Sequence, residues 1–418
     1  MTMEVFRTAA IKGNDSEFFS GRSRLVETAL KTLKKKTQTC VIFGERGIGK
    51  TSLAWQIISS LEKANPRFDK LASKVGIGKG QFLCFPIKNL EAPRDVPDLL
   101  VQAVLPSQEP RSLFRVIPEV YRDGDFLSYI KTSYDLDLLS IKELSAFSSS
   151  GDARMAERLF NDVVQRAKRE RPESRIVFFV DEADQMTDRT GLGNLLKNTN
   201  HAKFVLVGIA DTMSELVGEH ESALRKVIGG VLEVKPLSDK RIIDIYKKSV
   251  RASGGRLQFS QEFMERILRY SAGFPWIAQH VGDQVTTGYG HLLSQQSSQD
   301  SSSQASSQVV EFQAKHFERA WPIVRKAYSS LINRRISYDE INEAEAIQKV
   351  IAVMLKGRQY QGLDDLEKAT GLDYNATDIA VRRLVRSKIL TERPDHSYRF
   401  TDPIIRSFVL EMTEAASR

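Results

Sequence analysis

The chain has 418 residues, which is enough for two or three domains with cores of their own, and 41% of its residues are hydrophobic. The formal net charge of +8 is compatible with nucleic-acid binding but does not require it, because the basic residues are dispersed along the chain. No apolar run approaches the ~20 residues of a membrane span, and the first residues lack the apolar stretch of a signal peptide, so we expect a cytoplasmic protein without membrane contact.

Strand and helix patterns alternate through residues 1–236. Helical patterns separate five apolar runs, and the long stretch between the second and third runs is predicted to add helices outside the core. This alternation is typical of an α/β fold in which helices cover both faces of a mostly parallel sheet. Two of the runs contain Cys40 and Cys84, which are predicted to be reduced core thiols. The predicted strands are TCVIF (39–43), QFLCFPI (81–87), RIVFFVDEAD (175–184), KFVLVGIAD (203–211) and GVLEVKPL (230–237).

The first predicted strand leads into GERGIGKTS, which matches the spacing G-x-x-x-x-G-K-[ST] of a phosphate-binding loop. Glycines let the backbone curl so that its N–H groups point at phosphate oxygens, in front of the positive end of the next helix. Lys50 is predicted to reach the β- and γ-phosphates, and Thr51 to offer its hydroxyl to Mg²⁺. We therefore predict a P-loop NTPase core that binds ATP and Mg²⁺. The predicted loop contacts are Gly44, Gly47, Ile48, Gly49, Lys50, Thr51 and Ser52.

The third predicted strand ends in two acids. Asp181 is predicted to hold Mg²⁺, directly or through water, and Glu182 to polarise the attacking water as a general base. An exposed acidic turn after a core strand would look the same in isolation. Beside a phosphate loop, the pair favours an ATPase that hydrolyses its nucleotide, slowly and with Mg²⁺, over a kinase, which must exclude water.

The composition changes after residue 236. Residues 237–293 contain three consecutive helical patterns, which predict a small helical lid. Residues 294–308, SQQSSQDSSSQASSQ, contain no apolar residue except one Ala and predict a flexible linker. Residues 309–418 contain three helical patterns, two strands around a Pro-Asp turn and a closing helix. That order predicts a C-terminal winged helix-turn-helix.

Four further runs complete a recognisable pattern: FFSGRSRLVETAL before the phosphate loop, VGIADT and HESALRK after the fourth strand, and SAGFPWIAQHV in the helical lid. With the loop and the acidic strand, they resemble the AAA+-like P-loop ATPases. The resemblance is to bacterial and archaeal ATPases allied to the STAND class (signal transduction ATPases with numerous domains) and to the replication-initiator clade. It lies in the order and spacing of these runs, since none of them except the phosphate loop is specific alone.

The resemblance implies roles near the base and the γ-phosphate. Gly21 and Arg22 match a GR pair that packs beside the adenine in these ATPases, although Gly21 would also suit an ordinary turn. Asp211 matches a polar sensor at the end of the fourth strand. The family more often has Asn, Ser or Thr there, and Asp211 could instead cap the next helix.

The resemblance also implies roles in assembly and in the lid. Arg225 matches an arginine that such ATPases offer to the γ-phosphate of a neighbouring subunit, although a surface arginine would fit equally well. Gly273 and Pro275 match the G-x-P signature of the STAND lid, in which the proline lies against the base. The initiator clade usually has an arginine in this run, and its absence here favours the STAND side.

Two function classes follow. One is a regulatory switch whose ATP state controls self-association into a homo-oligomer or docking of a protein partner at the winged helix. The other is a DNA-binding ATPase of the initiator or transposition-regulator kind, which would contact duplex DNA through the winged helix. A third class, a nucleotide-locked scaffold, is disfavoured by the intact Glu182.

The predicted recognition helix is NATDIAVRRLVRSK (375–388). Ile379, Leu384 and Val385 are predicted to mark its buried side. The charged groups available for DNA, or for packing on the ATPase core, are Arg382, Arg383, Arg386, Lys388, Arg393, His396 and Arg399.

Overall fold

A five-stranded parallel sheet forms the centre of the N-terminal part of the chain. Neighbouring strands are all parallel and lie in the order β2-β3-β4-β1-β5. They are β1 (Val41–Phe43), β2 (Phe82–Ile87), β3 (Arg175–Val180), β4 (Ala202–Gly208) and β5 (Val231–Glu233). The predicted parallel α/β sheet is therefore confirmed, and β4 lies between the strand that precedes the phosphate loop and the strand that precedes the acids.

These strands belong to a computed structural model, which describes most but not all of the chain. Residues 294–308, the predicted linker, lie outside the described residues. Those are 5–12, 17–63, 66–87, 93–105, 111–134, 153–189, 191–198, 201–217, 225–287, 309–326, 345–357, 360–393 and 395–416.

Helices cover both faces of the sheet. Alternate residues of β3 face two separate cores: Val177 and Phe179 face one, and Ile176 and Phe178 the other. Both faces of the sheet are buried against helices, which is why its strands are continuous apolar runs in the sequence. The helices are α1 (Ser23–Lys34), α2 (Lys50–Leu61), α3 (Pro66–Val75), α4 (Val96–Val104), α5 (Leu113–Val116), α6 (Gly124–Tyr134), α7 (Ala153–Glu170), α8 (Leu192–Asn198) and α9 (Met213–Val217).

Both cysteines lie in the core, as the apolar runs predicted. Cys40 and Cys84 are free and buried, and burial raises the pKa of both thiols. Among the described residues, no helix has the length and apolar character needed to cross a membrane.

A second group of helices follows the sheet, and we call residues 237–287 the helical segment. It contains α10 (Asp239–Ala252), β6 (Leu257–Phe259), α11 (Gln261–Ser271) and α12 (Pro275–Thr287), so the three predicted helices are present. The chain reappears at β7 (Val310–Phe312), which pairs in parallel with β6, and continues into α13 (Ala314–Lys326). The aromatic rings of Phe259 and Phe312 stack with centroids 5.3 Å apart, so this stretch packs on the helical segment.

The last part of the chain combines helices with a small antiparallel sheet. Three strands lie in the order β8-β10-β9. The helices and strands predicted here are present, and β8 is an addition. We call residues 345–416 the C-terminal segment. Its elements are α14 (Glu345–Lys356), β8 (Gln361–Gly362), α15 (Leu363–Thr370), α16 (Tyr374–Arg386), β9 (Leu390–Glu392), β10 (Ser397–Phe400) and α17 (Pro403–Ala416).

The prediction of a buried Ile379 is wrong, because its side chain is 67% exposed. The helix α16 begins after Asp373, whose side chain accepts a hydrogen bond from the N–H of Ala376. From that start, the buried stripe runs through positions 377, 380, 381 and 384 at helical spacing. Leu384 lies on this stripe as predicted, whereas Ile379 lies off it.

Candidate nucleotide-binding site

The phosphate loop leaves the end of β1 and enters α2 at Lys50. Gly44, Gly47 and Gly49 all have positive φ angles, of 145°, 71° and 94°. At Gly44 a side chain is excluded outright, because an added Cβ would lie 2.6 Å from the carbonyl oxygen of Val234. The loop therefore has the tight curl that the motif predicted, held against the chain that follows β5.

Lys50 is turned toward the loop itself. Its Nζ donates hydrogen bonds to the carbonyl oxygens of Gly44 (3.0 Å) and Glu45 (2.8 Å). Burial lowers the pKa of Lys50 to about 8, while the carboxylates of Asp184 and Asp181 act in the opposite direction. A buried ammonium that donates to carbonyl oxygens is suited to exchange them for phosphate oxygens, which carry full charge.

The lowered pKa predicts a proton linked to nucleotide binding. A bound phosphate favours the charged lysine and raises the pKa of Lys50 again. At pH 8, where about half of the free protein has a neutral Lys50, binding should take up about half a proton. Above pH 8 the affinity should fall about tenfold per pH unit. Calorimetry in two buffers with different ionisation enthalpies measures this uptake, and its absence at pH 8 would contradict the lowered pKa.

The acids at the end of β3 occupy the predicted place. Asp181 follows the strand directly and is half-buried, and the exposed Glu182 adopts a left-handed conformation with φ 57°. The N–H of Glu182 donates to the Asp181 carboxylate at 3.1 Å. A left-handed conformation is costly for a non-glycine residue and fixes the direction of the turn.

The predicted Mg²⁺ ligands, Thr51 and Asp181, supply the oxygen donors that this ion prefers. Among the described residues, no group of three or more His, Cys, Asp or Glu side chains forms a metal site by itself. Any Mg²⁺ here would therefore need phosphate oxygens and water to complete its shell, as expected for a nucleotide-borne ion.

Asp184 belongs to the site, although the motif did not single it out. Its Oδ1 accepts a hydrogen bond of 2.7 Å from the N–H of Ile209, so it ties the end of β3 to the end of β4. It is also the strongest of the carboxylates that favour a charged Lys50. The signal in the sequence was its place as the last acid of the run RIVFFVDEAD.

Arg22 lies beside the loop. Gly21 and Arg22 both have left-handed backbones, with φ of 71° and 63°. The guanidinium of Arg22 donates to the carbonyl oxygens of Lys235 (3.2 Å) and Gly49 (3.5 Å), and burial lowers the pKa of Arg22 to about 10. The GR pair is thus next to the phosphate loop, and its predicted contact with adenine stays a prediction.

The start of α12 also touches the loop. An ideal Cβ on Gly49 would lie 3.6 Å from Cγ of Pro275, and one on Gly47 would lie 3.2 Å from Cβ of Trp276. The ring of Trp276 packs against His280, with centroids 4.4 Å apart. The predicted G-x-P run is therefore brought to the loop.

Two other predicted loop contacts use their side chains elsewhere. Ile48 is fully buried in the core, and Oγ of Ser52 accepts a hydrogen bond of 3.0 Å from the N–H of Ile11. The N–H of Ile48 donates to the carbonyl oxygen of Glu45 at 3.4 Å, and the predicted contacts of both residues with a nucleotide stay predictions. The hydrogen bond between Ile11 and Ser52 ties the first turn of α2 to the N-terminal part of the chain.

Asp211 follows β4 and forms an ion pair with the C-terminal segment. Its Oδ1 accepts a hydrogen bond of 2.7 Å from Arg399, and the other Nη of Arg399 lies 3.1 Å from the carboxylate of Glu45. Arg393 donates to the carbonyl oxygen of Asp211 at 2.7 Å. Thr212, not Asp211, accepts from the N–H of Glu215 in α9, so Asp211 does not have the capping role considered above.

Arg225 is not brought to this site by any described contact. It is exposed, and residues 218–224, which precede it, lie outside the described residues. Its role in a neighbouring subunit's site therefore stays a prediction.

No family model and no curated protein matches the chain. Among solved structures, it is similar to the Aeropyrum pernix ORC1 protein in complex with DNA, with 14% identity, 98% of this chain and 95% of that chain covered, and a TM-score of 0.39. It is also similar to Cdc6p from Pyrobaculum aerophilum, with 13% identity, 97% of this chain and 99% of that chain covered, and a TM-score of 0.41. A third similar structure is the Aeropyrum pernix ORC2 protein in ADPNP-ADP complexes, with 13% identity, 96% of this chain and 98% of that chain covered, and a TM-score of 0.46. Such low identities and TM-scores say nothing about what this chain binds or does.

Proposed function

We propose that the chain is an ATP-binding and ATP-hydrolysing regulatory switch of the AAA+ or STAND type. In this proposal its nucleotide state controls self-association or the docking of a partner. One observation carries it: the phosphate loop is contacted from two sides by distant parts of the chain. Pro275 and Trp276 of the helical segment lie against Gly49 and Gly47, and Arg399 of the C-terminal segment is paired with Glu45.

These contacts support a switch for a thermodynamic reason. A ligand shifts an equilibrium between two arrangements only if it binds them with different affinities. A nucleotide in this loop would lie next to both segments, so ATP and ADP could favour different arrangements of each. The helical segment would act as the lid and the C-terminal segment as a winged helix that docks or is released.

The proposed hydrolysis assigns one role to each side chain. Lys50 and the loop N–H groups would bind the phosphates, and Thr51 and Asp181 would hold Mg²⁺. Glu182 would accept the proton of the attacking water. Its carboxylate is exposed, so it is accessible to water at the edge of the sheet. In a homo-oligomer, Arg225 would reach the site of the neighbouring subunit.

Glu182→Gln should keep ATP binding and reduce turnover by at least about 100-fold, because general-base catalysis contributes on this scale. Phosphate release and calorimetric ATP affinity measure the two effects separately. Glu157→Gln, an exposed acid on α7, is the matched control and should change neither. If Glu182→Gln hydrolyses ATP at the wild-type rate, Glu182 is not the general base.

The alternative function is a DNA-binding ATPase that acts through α16. Its exposed face carries Ile379, Arg382 and Arg383, as a helix that enters the major groove requires. The guanidinium of Arg393, by contrast, donates to the carbonyl oxygen of Asp211, and its Cζ lies 3.8 Å from the ring centroid of Tyr360. The discriminating experiment measures ATP turnover with and without duplex DNA. Strong stimulation, with no nucleotide-dependent change in protease sensitivity, would favour the DNA-binding ATPase over the switch.

A further inference from the structure

Two carboxylates converge at the edge of the sheet where the phosphate loop begins. Glu45 is the second residue of the loop, and Asp211 lies just after β4, the strand next to β1. Their side chains are only 16% and 12% exposed. Buried carboxylates need a partner, since the desolvated charge is otherwise costly.

Arg399 is the shared partner of both carboxylates. Its two Nη atoms each contact one of them, and its side chain is 13% exposed. The arginine comes from β10, in the last part of the chain. Because planar guanidinium groups bind two anionic groups in a fixed geometry, Arg399 holds the ends of β1 and β4 in one arrangement.

The phosphates of a bound nucleotide would add charge at this place. Lys50, which should bind the β- and γ-phosphates, already contacts the carbonyl oxygen of Glu45. A γ-phosphate bound by Lys50 would add negative charge beside Glu45, which shares Arg399 with Asp211. Like charges in a poorly solvated site repel strongly. The repulsion is larger for ATP than for ADP, because ATP carries the additional phosphate.

We propose that Arg399 is a specificity-determining residue, which neutralises Glu45 and Asp211 and so allows the loop to accept a nucleoside triphosphate. The inference rests on one part of the proposed function, which is that a nucleotide binds at the phosphate loop. It makes the ATP preference of the loop depend on the C-terminal segment. By reciprocity, ATP strengthens the docking of the β9–β10 hairpin more than ADP does.

The surroundings of Arg399 leave space for its guanidinium to shift when phosphate charge is added beside it. Its Nε finds no hydrogen-bond partner among the described residues. A cavity of about 280 Å³ lies beside it, lined by Tyr360 and Phe274 as well as by the two acids. Arg393 stays on the backbone of Asp211 and can hold the hairpin while Arg399 adjusts.

The test measures the affinities of the full-length chain for ADP and for ATPγS by calorimetry. In Arg399→Ala, the affinity for ATPγS should fall about tenfold relative to that for ADP. Adding Glu45→Gln and Asp211→Asn to Arg399→Ala should restore most of the ATPγS affinity, because the unpaired charges are gone. Lys368→Ala, which removes an exposed cation of α15 in the same segment, is the control and should leave the ratio unchanged.

Two results would overturn the inference. One is an unchanged ratio in folded Arg399→Ala, and the other is tighter ATPγS binding, which would mean that the hairpin competes with ATP. Should Arg399→Ala not fold, Glu45→Gln alone decides: it should favour ATPγS relative to ADP, and the opposite shift would refute the charge argument. A wild-type chain that binds neither nucleotide would refute the proposed function itself.

Discussion

Replacing Lys50 with alanine should reduce nucleotide affinity by at least about 100-fold, since it removes charge-assisted hydrogen bonds to the phosphates. The fold should survive the change. Burial disfavours the charged form of Lys50, so the lysine contributes no charge-based stability to the free protein at neutral pH. We therefore expect the melting temperature without nucleotide to stay the same or rise, while the increase caused by ATP disappears.

A matched control separates this effect from general charge loss. Lys79→Ala removes an exposed lysine from a turn before β2 and should leave both affinity and melting temperature unchanged. If Lys50→Ala binds ATP with wild-type affinity in a calorimetric titration, the assignment of the loop as a phosphate site is wrong.

Gly273→Ala should destabilise the fold by roughly 3 kcal/mol, on the scale of backbone strain combined with a steric clash. Gly273 has φ 87°, and a Cβ there would lie 2.3 Å from the carbonyl oxygen of Leu237. The close contact between the backbones of Gly273 and Leu237 also forms a hydrogen bond of 2.8 Å, from the N–H of Leu237 to the carbonyl oxygen of Gly273. The substitution should therefore also loosen the start of α12 from the phosphate loop.

Gly254→Ala is the control for Gly273→Ala. It has a similar backbone, with φ 65°, but nothing lies within 4 Å of an added Cβ. Its cost should be about 1 kcal/mol, the strain of the left-handed conformation alone. Chemical denaturation measures the free energy of unfolding of both variants. Equal losses would show that the contact with Leu237 does not add to the cost of Gly273→Ala.

The sheet could be predicted from the sequence because its strands are buried on both faces and are therefore uninterrupted apolar runs. The phosphate loop could be predicted because its geometry is encoded within nine consecutive residues. The buried side of α16 was partly misassigned, because the apolar character of Ile379 did not reveal the phase of the helix. Phase is set by packing, which only the three-dimensional structure reveals.

The contacts made by Arg399 could not be predicted from the sequence. Glu45 and Arg399 lie near opposite ends of the chain, and no local pattern connects them. The sequence identified Arg393 and Arg399 only as charges available for DNA or for internal packing. In the structure both arginines make internal contacts, Arg399 with Glu45 and Asp211, and Arg393 with the backbone of Asp211. These contacts connect the β9–β10 hairpin to the phosphate loop.

The pairing of β6 with β7 has a consequence for the continuity of the chain. Phe312 enters the same core as Phe263, and the carbonyl oxygen of Phe312 accepts a hydrogen bond of 2.8 Å from the N–H of Ser260. The polypeptide on either side of residues 288–308 is thus anchored in one body by non-covalent contacts. We therefore expect the pairing of β6 with β7 to persist when a reporter domain is inserted between residues 288 and 308 or when the chain is opened there for circular permutation.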